Sequence, residues 1–492
     1  MIRVDVERAE WEPVGQRIWT SYESPTEHGL QRYNYYAAFV RSVTIPADYE
    51  NRSDPQENVD PMLVFHLSIA SGYRPLLPNV KEIRCDLTPS VDMAVLCLAG
   101  DSLCELLIFD PHDGPPLPGK FADKQIASAL RRLLRELPSR TPELRSLYID
   151  DIDTIHCLQH IAPIANLQEL RSLRFRFRRG QDNWLGPFMS MLAKLEHLRD
   201  LHLSLGDWVS GLPPIAEDGF RELRRLCLQG YNAGSDHLVS LNTLTGIMPR
   251  DLALERLDIR EAAVEHDLYV GDLAAECRGL EILVTSAAKT LTWVTVDLFR
   301  DRDYGLYNRR EQSQPTSRDN PSSTILDILA QLHNLQVCVI DLPTTMWITD
   351  HELRRLRDAW PLLWKFDLKW RREKYSQRRV PTFDGVVDFI RDHPHLRKLE
   401  LSALDMGVPN HLKRRVYWTR TLPEGLTVPE ARIRDPVVLG QVLRTLFEDL
   451  HVWGDACDEG GVDESSKWGR VLLELGCYAD CGHRVAYEGS EQ

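Results

Sequence analysis

The segment 150–156 contains three acidic residues and one histidine, which could form a metal site or an acid/base site. Asp150, Asp151, Asp153 and His156 supply the residue types that such a site needs. They directly follow a predicted strand, however, and polar residues are expected in a loop at that point whatever its role. We therefore interpret the segment as a surface loop.

Near the C-terminus, the spacing Cys477-x₃-Cys481-x-His483 could indicate zinc. A structural zinc site needs four ligands. No second pair of ligands lies nearby, and Cys457 could complete the set only through the tertiary fold. The sequence therefore predicts no metal site.

Two segments, 174–179 and 369–374, mix basic and aromatic residues as proteins that bind single-stranded nucleic acid do. Both overlap predicted strands, in which Phe175 should belong to the core. The chain has 59 Lys and Arg against 73 Asp and Glu, a formal charge of −14. Nucleic-acid binding needs a basic face that displaces counterions, so we predict no nucleic-acid partner.

Motifs of the common enzyme classes are missing from the sequence. There is no glycine-rich phosphate loop, no Gly-x-Ser-x-Gly and no His-Glu-x-x-His. The ten cysteines are thinly spread, as in proteins that keep their thiols reduced. Neither a signal peptide nor an apolar run long enough to span a membrane is visible. We expect a cytoplasmic or nuclear protein that is not an enzyme, needs no cofactor and does not bind a membrane.

One pattern, Leu-x-x-Leu-x-Leu, returns along most of the chain. The central copies begin 25 to 31 residues apart, close to the 20–29 residues typical of leucine-rich repeats. Between copies, apolar residues recur at helical spacing, as in 126–137. The copies begin at Leu144, Leu170, Leu198, Leu223 and Leu254, with variants at Leu291, Leu335, Leu363 and Leu396 and weaker ones at Val80 and Leu103.

Each repeat offers a short strand that cannot bury its apolar face alone, so neighbouring repeats must stack. We predict an α/β leucine-rich-repeat solenoid with irregular repeats, in which a curved parallel sheet lies inside and helices lie outside. Residues 61–435 form this solenoid, with a loop insertion at 301–323. Residues 1–60 form an N-terminal linker or cap, and residues 436–492 form a C-terminal helical cap and tail.

Side chains alternate across a strand, so the residues between the leucines point away from the core. Many of them are basic, and we expect them to form a strip on the concave face that binds a protein partner, possibly acidic, with Trp293 as an aromatic anchor. Alternatively, they are ordinary solvated strand residues balanced by nearby acids. The strip comprises Arg174, Arg176, His202, Arg225, Arg256, Asp258, Arg260, Trp293, Lys365 and Lys369.

Longer segments carry a family resemblance. Ile348–Leu368 is similar to the "Asp…Leu…Trp-Pro-x-Leu-x-x-Leu-x-Leu" repeat of fungal, basidiomycete-type F-box/leucine-rich-repeat proteins, and Thr382–Leu401 resembles the next repeat. Gln31–Val43 resembles the segment that joins the F-box to the repeats in this family. Val438–Leu450, followed by Trp468–Leu475, resembles its C-terminal helical cap.

The resemblance implies the substrate-recognition part of a cullin–RING (SCF) ubiquitin ligase, in which an F-box binds a Skp-type adaptor. Residues 1–30 contain no recognisable F-box, so the adaptor-binding positions of the family are assigned to no residue, and adaptor binding is expected only if an F-box is restored. Two alternatives stay open. One is a leucine-rich-repeat binding protein with no role in ubiquitin ligation, and the other is an enzyme whose site is assembled from loops without a motif.

Overall fold

A computed structural model describes most of the repeat region and divides the chain into two compact units. The first comprises Met1–Ala253 with Val264–His266, and the second comprises Leu254–Ala263 with Asp267–Gln492. For some strand and helix residues only the backbone is described. Side chains are described for residues 26–45, 64–86, 88, 91–109, 125–149, 161–176, 187–203, 219–229, 248–249, 251–260, 277–297, 324–341, 348–369, 380–406, 426, 436–437 and 439–441.

The first unit alternates short strands with helices. Its helices are α1 (Glu27–Ala37), α2 (Pro61–Ala70), α3 (Val91–Leu98), α4 (Lys120–Arg140) and α5 (Leu185–Leu192), with a 3₁₀ turn at Ala162–Asn166. Its strands are β1 (Ile2–Val4), β2 (Arg17–Thr20), β3 (Ser42–Ile45), β4 (Glu57–Val59), β5 (Glu82–Asp86), β6 (Glu105–Phe109), β7 (Ser146–Ile149), β8 (Ser172–Arg176), β9 (Asp200–Leu205) and β10 (Arg225–Gly230). Strands β3 and β5 to β10 pair in chain order as a parallel sheet, and β1, β2 and β4 form a separate small sheet.

The second unit repeats the same arrangement. Its helices are α6 (Val270–Ala287), α7 (Pro321–Leu329), α8 (Asp350–Arg355) and α9 (Phe383–Asp392). Its strands are β11 (Arg256–Arg260), β12 (Trp293–Asp297), β13 (Val337–Leu342), β14 (Lys365–Trp370), β15 (Lys398–Leu401), β16 (Ala403–Met406), β17 (Gly425–Thr427), β18 (Glu430–Ile433), β19 (Cys457–Asp458) and β20 (Gly461–Val462). Strands β11 to β15 and β17 pair in that order as a parallel sheet, while β16 pairs with β18 and β19 with β20.

The apolar residues of each repeat lie in register with those of the next. Leu147 pairs with Leu173, and Leu173 with Leu201, and all three side chains are buried. Helices pack on this face, since the ring of Phe188 on α5 lies 5.5 Å from that of Phe175 on β8. Burying one such side chain contributes about 1.5–3 kcal/mol, so the stacked ladder is the main source of stability.

A tight turn leads into most of the strands. The N–H of the first apolar residue of the repeat donates to the carbonyl three residues earlier, as Leu144 does to Thr141 and Leu363 to Trp360, both at 3.1 Å. The residue at this earlier position is usually buried. His393 occupies this position before Leu396, where other repeats place leucine, phenylalanine, tryptophan, threonine or glycine. The histidine is therefore a core residue of the repeat.

Neighbouring repeats are joined by one carbonyl that accepts two hydrogen bonds. The carbonyl of Arg145 accepts from the N–H groups of Arg171 and Ser172, at 2.8 and 2.9 Å. The carbonyl of Gln336 accepts in the same way from Trp364 and Lys365. Because this link recurs from strand to strand within each unit, it sets the register of each sheet.

A side-chain link joins the last two helices. Thr349 and Glu352 form a capping box at the start of α8, as their spacing predicts. Asp350, within the same turn, accepts hydrogen bonds from the N–H and the hydroxyl of Thr382, both at 2.7 Å, and Thr382 caps α9. A Cβ atom on Gly385 would lie 2.2 Å from the carboxylate of Asp350. Glycine is therefore required for this contact.

The prediction of an α/β fold with a parallel sheet is confirmed, and every copy of the repeat lies on a strand. The sheet of the first unit nevertheless begins at β3, inside the predicted linker 1–60. Helix α7 begins at Pro321, inside the predicted loop 301–323, whose remaining residues lie outside the described ones. Most of the predicted C-terminal cap, 436–492, also lies outside them. None of the helices in the described ranges combines the length and the apolar character that a membrane span needs.

We predict that Gly385→Ala lowers the free energy of unfolding by about 1–3 kcal/mol, because the new methyl group overlaps Asp350. Urea unfolding measures the loss. The double variant Asp350→Ala/Gly385→Ala is the control, since removing the carboxylate makes room for the methyl group. Gly385→Ala should then lower the free energy of unfolding by less in the Asp350→Ala background than in the unchanged chain. An equal loss in both backgrounds would contradict the proposed contact.

We also predict that His393 makes stability depend on pH. Burial lowers the pKa of His393, although a 2.7 Å hydrogen bond to the carbonyl of Phe389 opposes this shift. The unfolded chain therefore holds this proton more tightly, and the free energy of unfolding should fall as the pH drops through about 6.5. His393→Leu should remove that fall between pH 7.5 and 5, as followed by thermal unfolding. The exposed His395→Leu is the matched control and should retain it.

Candidate functional site

The outward residues of the two parallel sheets form rows that cross the strands, because neighbouring strands are paired residue by residue. In the second unit, the first row contains Arg256, Trp293, Val337, Lys365 and Lys398. The middle row contains Asp258, Thr295, Val339, Asp367 and Glu400, and the last row contains Arg260, Asp297, Asp341 and Lys369. This face thus carries both signs of charge.

In the first unit, the outward face carries four of the predicted residues. Arg174 is exposed, and its guanidinium lies 4.7 Å from the ring centre of Tyr148 on the preceding strand. His202 pairs with Arg174 in the register, and Arg176 lies two residues further along the strand. Arg225 lies beside Asp200, with 3.4 Å between the guanidinium Nε and the carboxylate Oδ1.

The predicted aromatic anchor is already covered on one side. The guanidinium of Arg256 lies 4.3 Å from the ring centre of Trp293. Asp258, which is almost fully buried, holds this guanidinium at 2.6 Å and also lies 4.0 Å from Arg260. The indole N–H of Trp293 donates to the hydroxyl of Thr295 at 3.1 Å. Trp293 is therefore fixed in place by a cation–π contact and a hydrogen bond.

Lys369 links two strands of the second unit. Its ammonium lies 3.1 Å from Glu400 and 3.6 Å from Asp367. Burial acts to lower the pKa of Lys369, but the hydrogen bond to Glu400 and the surrounding carboxylates raise it overall. The pKa of Asp367 is raised by burial and then by Glu400, although Lys369 opposes this. One oxygen of Asp367, Oδ1, is buried with no hydrogen-bond partner.

Two carboxylates stand side by side in the last row. Asp297 and Asp341 are directly paired on strands β12 and β13, and paired strands lie about 4.8 Å apart. Burial raises the pKa of Asp341 to about 6, with further contributions from Asp297 and Asp367 that outweigh the opposing charge of Lys369. In the register, Arg260 pairs with Asp297 and Lys369 pairs with Asp341, so the two carboxylates lie between two basic residues.

All ten residues predicted for the basic strip lie on outward strand positions. The structure adds what the sequence prediction left out, namely acidic partners for Arg225, Arg256, Arg260 and Lys369. Asp297 and Asp341 were missed, although each follows the third apolar residue of its repeat, as Arg176 and Arg260 do. Counting that position in every repeat would have found them. Whether the strip binds a partner stays a prediction.

The other chemical candidates lie largely outside the described residues. This applies to the segment 150–156, to Cys477, Cys481 and His483, and to the side chain of Cys457. Where the structure does describe the chain, no group of three or more histidine, cysteine or acidic residues is arranged to hold a metal ion.

We predict that Asp341→Asn stabilises the protein at pH 7.5, because it removes a carboxylate that the fold disfavours. A raised pKa means that the folded chain holds the proton more tightly, so stability is lost as the pH rises from about 4 through 6. The gain should be on the order of 1 kcal/mol, since partial exposure weakens the effect. It should shrink toward pH 4 in thermal unfolding. Glu281→Gln, on the exposed face of α6, is the control and should show no such trend.

In comparisons with known proteins, the chain matches no family model and no curated protein sequence.

Proposed function

We propose that this protein is a leucine-rich-repeat scaffold that binds another protein through the outward residues of its sheets. The observation that carries the proposal is the register of the strands. Buried leucines such as Leu173 and Leu201 hold the strands in line, and the residues between them, such as Arg174 and His202, form rows on the opposite face. A rigid array of charged side chains suits recognition, since it gives a partner a fixed pattern to complement.

On the first unit, Arg174 is the best candidate for contact with a partner. It is exposed, and stacking on Tyr148 orients its guanidinium at little cost in entropy. Arg176 and His202 lie on neighbouring positions of the same face. This arrangement supports the expectation of an acidic segment in the partner, because arginine pairs with carboxylates through two parallel hydrogen bonds.

The more specific form of the proposal is that the scaffold recognises substrates for a cullin–RING ubiquitin ligase. Two segments with the family resemblance fold as a helix followed by a strand, namely Ile348–Leu368, which contains α8 and β14, and Thr382–Leu401, which contains α9 and β15. Trp360 and Phe366 of the first segment pack edge to face in the core. The resemblance thus falls on complete repeats, as the proposal requires.

We predict that Arg174→Glu prevents the chain from binding its protein partners. The test is to purify the chain from the cells that produce it and to quantify the bound proteins by mass spectrometry. Losing the guanidinium and adding a carboxylate should reduce their recovery about tenfold or more. Arg131→Glu, an exposed helix position of α4, is the matched control and should bind as the unchanged chain does. Equal recovery with Arg174→Glu would contradict binding at this face.

The same purification tests the role in ubiquitin ligation. Once an F-box is restored to the chain, a Skp-type adaptor and a cullin should be recovered with it, and both should remain bound in the Arg174→Glu variant, because the adaptor binds the F-box. Recovery of partners without any adaptor would refute the ligase role and leave the binding scaffold in place.

A further inference from the structure

Strand β6 is apolar on both of its faces. It contains the run Leu106-Leu107-Ile108-Phe109, and a continuous apolar run is typical of a parallel strand that is covered on both sides. Leu106 and Ile108 point inward and are fully buried. Leu107 and Phe109 point outward and are only half-buried. The outward side chains of β6 therefore present apolar surface that the core of the repeat does not use.

Tyr148 extends this surface onto the next strand. It pairs with Leu107 in the register of β6 and β7, and its ring centre lies 5.2 Å from that of Phe109. The three side chains Leu107, Phe109 and Tyr148 thus form one group on the outward face of the first unit, which we call the apolar patch. Apolar side chains that cluster on an otherwise polar surface are typical of interaction sites, whereas single ones are not.

Arg174 lies directly beside the apolar patch. It pairs with Tyr148 in the register of β7 and β8, and its guanidinium lies 4.7 Å from the centre of that ring. A guanidinium that stacks on a ring keeps the N–H groups in its plane for other acceptors. Arg176 and His202 occupy adjacent outward positions. Apolar surface and positive charge therefore lie side by side between β6 and β9.

We propose that the outward face of the first unit binds an extended segment of a protein partner in which a large apolar residue, phenylalanine, tyrosine or leucine, lies close to an acidic residue. The inference rests on the proposed function, and it adds a second requirement to the acidic group. The apolar side chain packs on the apolar patch, and the carboxylate accepts hydrogen bonds from Arg174. An acidic segment without the apolar residue should bind weakly, because exposed ion pairs contribute little on their own.

The strand spacing sets the distance between the two residues of the partner. Tyr148 and Arg174 lie one strand apart, about 4.8 Å, and Leu107 and Arg174 lie two strands apart, about 9.6 Å. Alternate residues of an extended segment point to the same side and are about 6.6 Å apart, which falls between these limits. A segment that crosses the strands should therefore meet the two sites with residues that are two positions apart.

Selection of phage-displayed random dodecapeptides on the full chain tests the proposal. We expect enriched sequences with an aspartate or glutamate two positions from a phenylalanine, tyrosine or leucine. The Kd of one enriched synthetic peptide is then measured by fluorescence anisotropy. Replacing its large apolar residue by alanine should raise the Kd about tenfold or more, because most of the apolar area is lost. This comparison requires no change to the protein.

Variants of the chain locate the contact. Phe109→Ser should raise the Kd of the enriched peptide about tenfold, and it should have little further effect on the alanine peptide. Phe109→Tyr keeps the ring and should bind as the unchanged chain does. Phe39→Ser is the matched control, since Phe39 is 64% exposed and lies outside the sheet, and it should leave the Kd unchanged. Thermal unfolding establishes that each variant is folded.

Three results would overturn this proposal. They are the absence of enriched sequences, enrichment of acidic sequences with no preference for an apolar residue, and an unchanged Kd for Phe109→Ser. The proposed function would still stand if Arg174→Glu reduced partner recovery. A dimeric chain that Phe109→Ser turns into monomers in sedimentation equilibrium would also overturn it, because a second copy would then cover the apolar patch. Peptide binding that neither Phe109→Ser nor Arg174→Glu weakens would contradict the proposed function itself.

Discussion

The structure depends on the carbonyl that precedes each strand and accepts two N–H groups from the next repeat. The carbonyls of Arg145, Arg171 and Arg199 do this in succession in the first unit, and those of Thr292, Gln336 and Trp364 do it in the second. A strand that slipped by one residue would lose these bonds and turn its leucines toward water. Hydrogen bonding and burial therefore fix the same register.

That register also decides how the charges of the outward face meet. Residues at the same position of successive repeats become neighbours on paired strands. Which side chains meet on the outward face therefore depends on which residue each repeat has at that position. Arg256 meets Trp293 in this way, and Asp341 meets both Asp297 and Lys369. Net charge describes none of this. The chain has a formal charge of −14, yet arginine is exposed on one sheet and carboxylates are paired on the other.

Much of the fold could be predicted from the sequence because the repeat carries its own period. Leu-x-x-Leu-x-Leu predicted each strand from β5 to β15, and the spacing of Thr349 and Glu352 predicted a helix start. Strand β3 was missed because Val43-Thr-Ile45 keeps the alternation but lacks the leucines that precede it elsewhere. The bond from Thr382 to Asp350 spans 32 residues, so no local pattern could reveal it. The basic strip was incomplete because basic residues were sought and the acids at equivalent positions were not counted.

Inward and outward positions are constrained differently, and this explains how an unfavourable carboxylate such as Asp341 can persist. The position before each strand accepts Thr141, Leu167, Trp360 or His393, provided that the side chain fills the core. The polar side chains among them each make a hydrogen bond to a backbone carbonyl. An outward residue contributes little to the core, so its charge is free to follow the needs of binding. The stacked leucines supply more stability than one partly buried carboxylate costs. Asp341 shows this difference, because burial raises the pKa of its carboxyl to about 6 and the fold nevertheless keeps the residue.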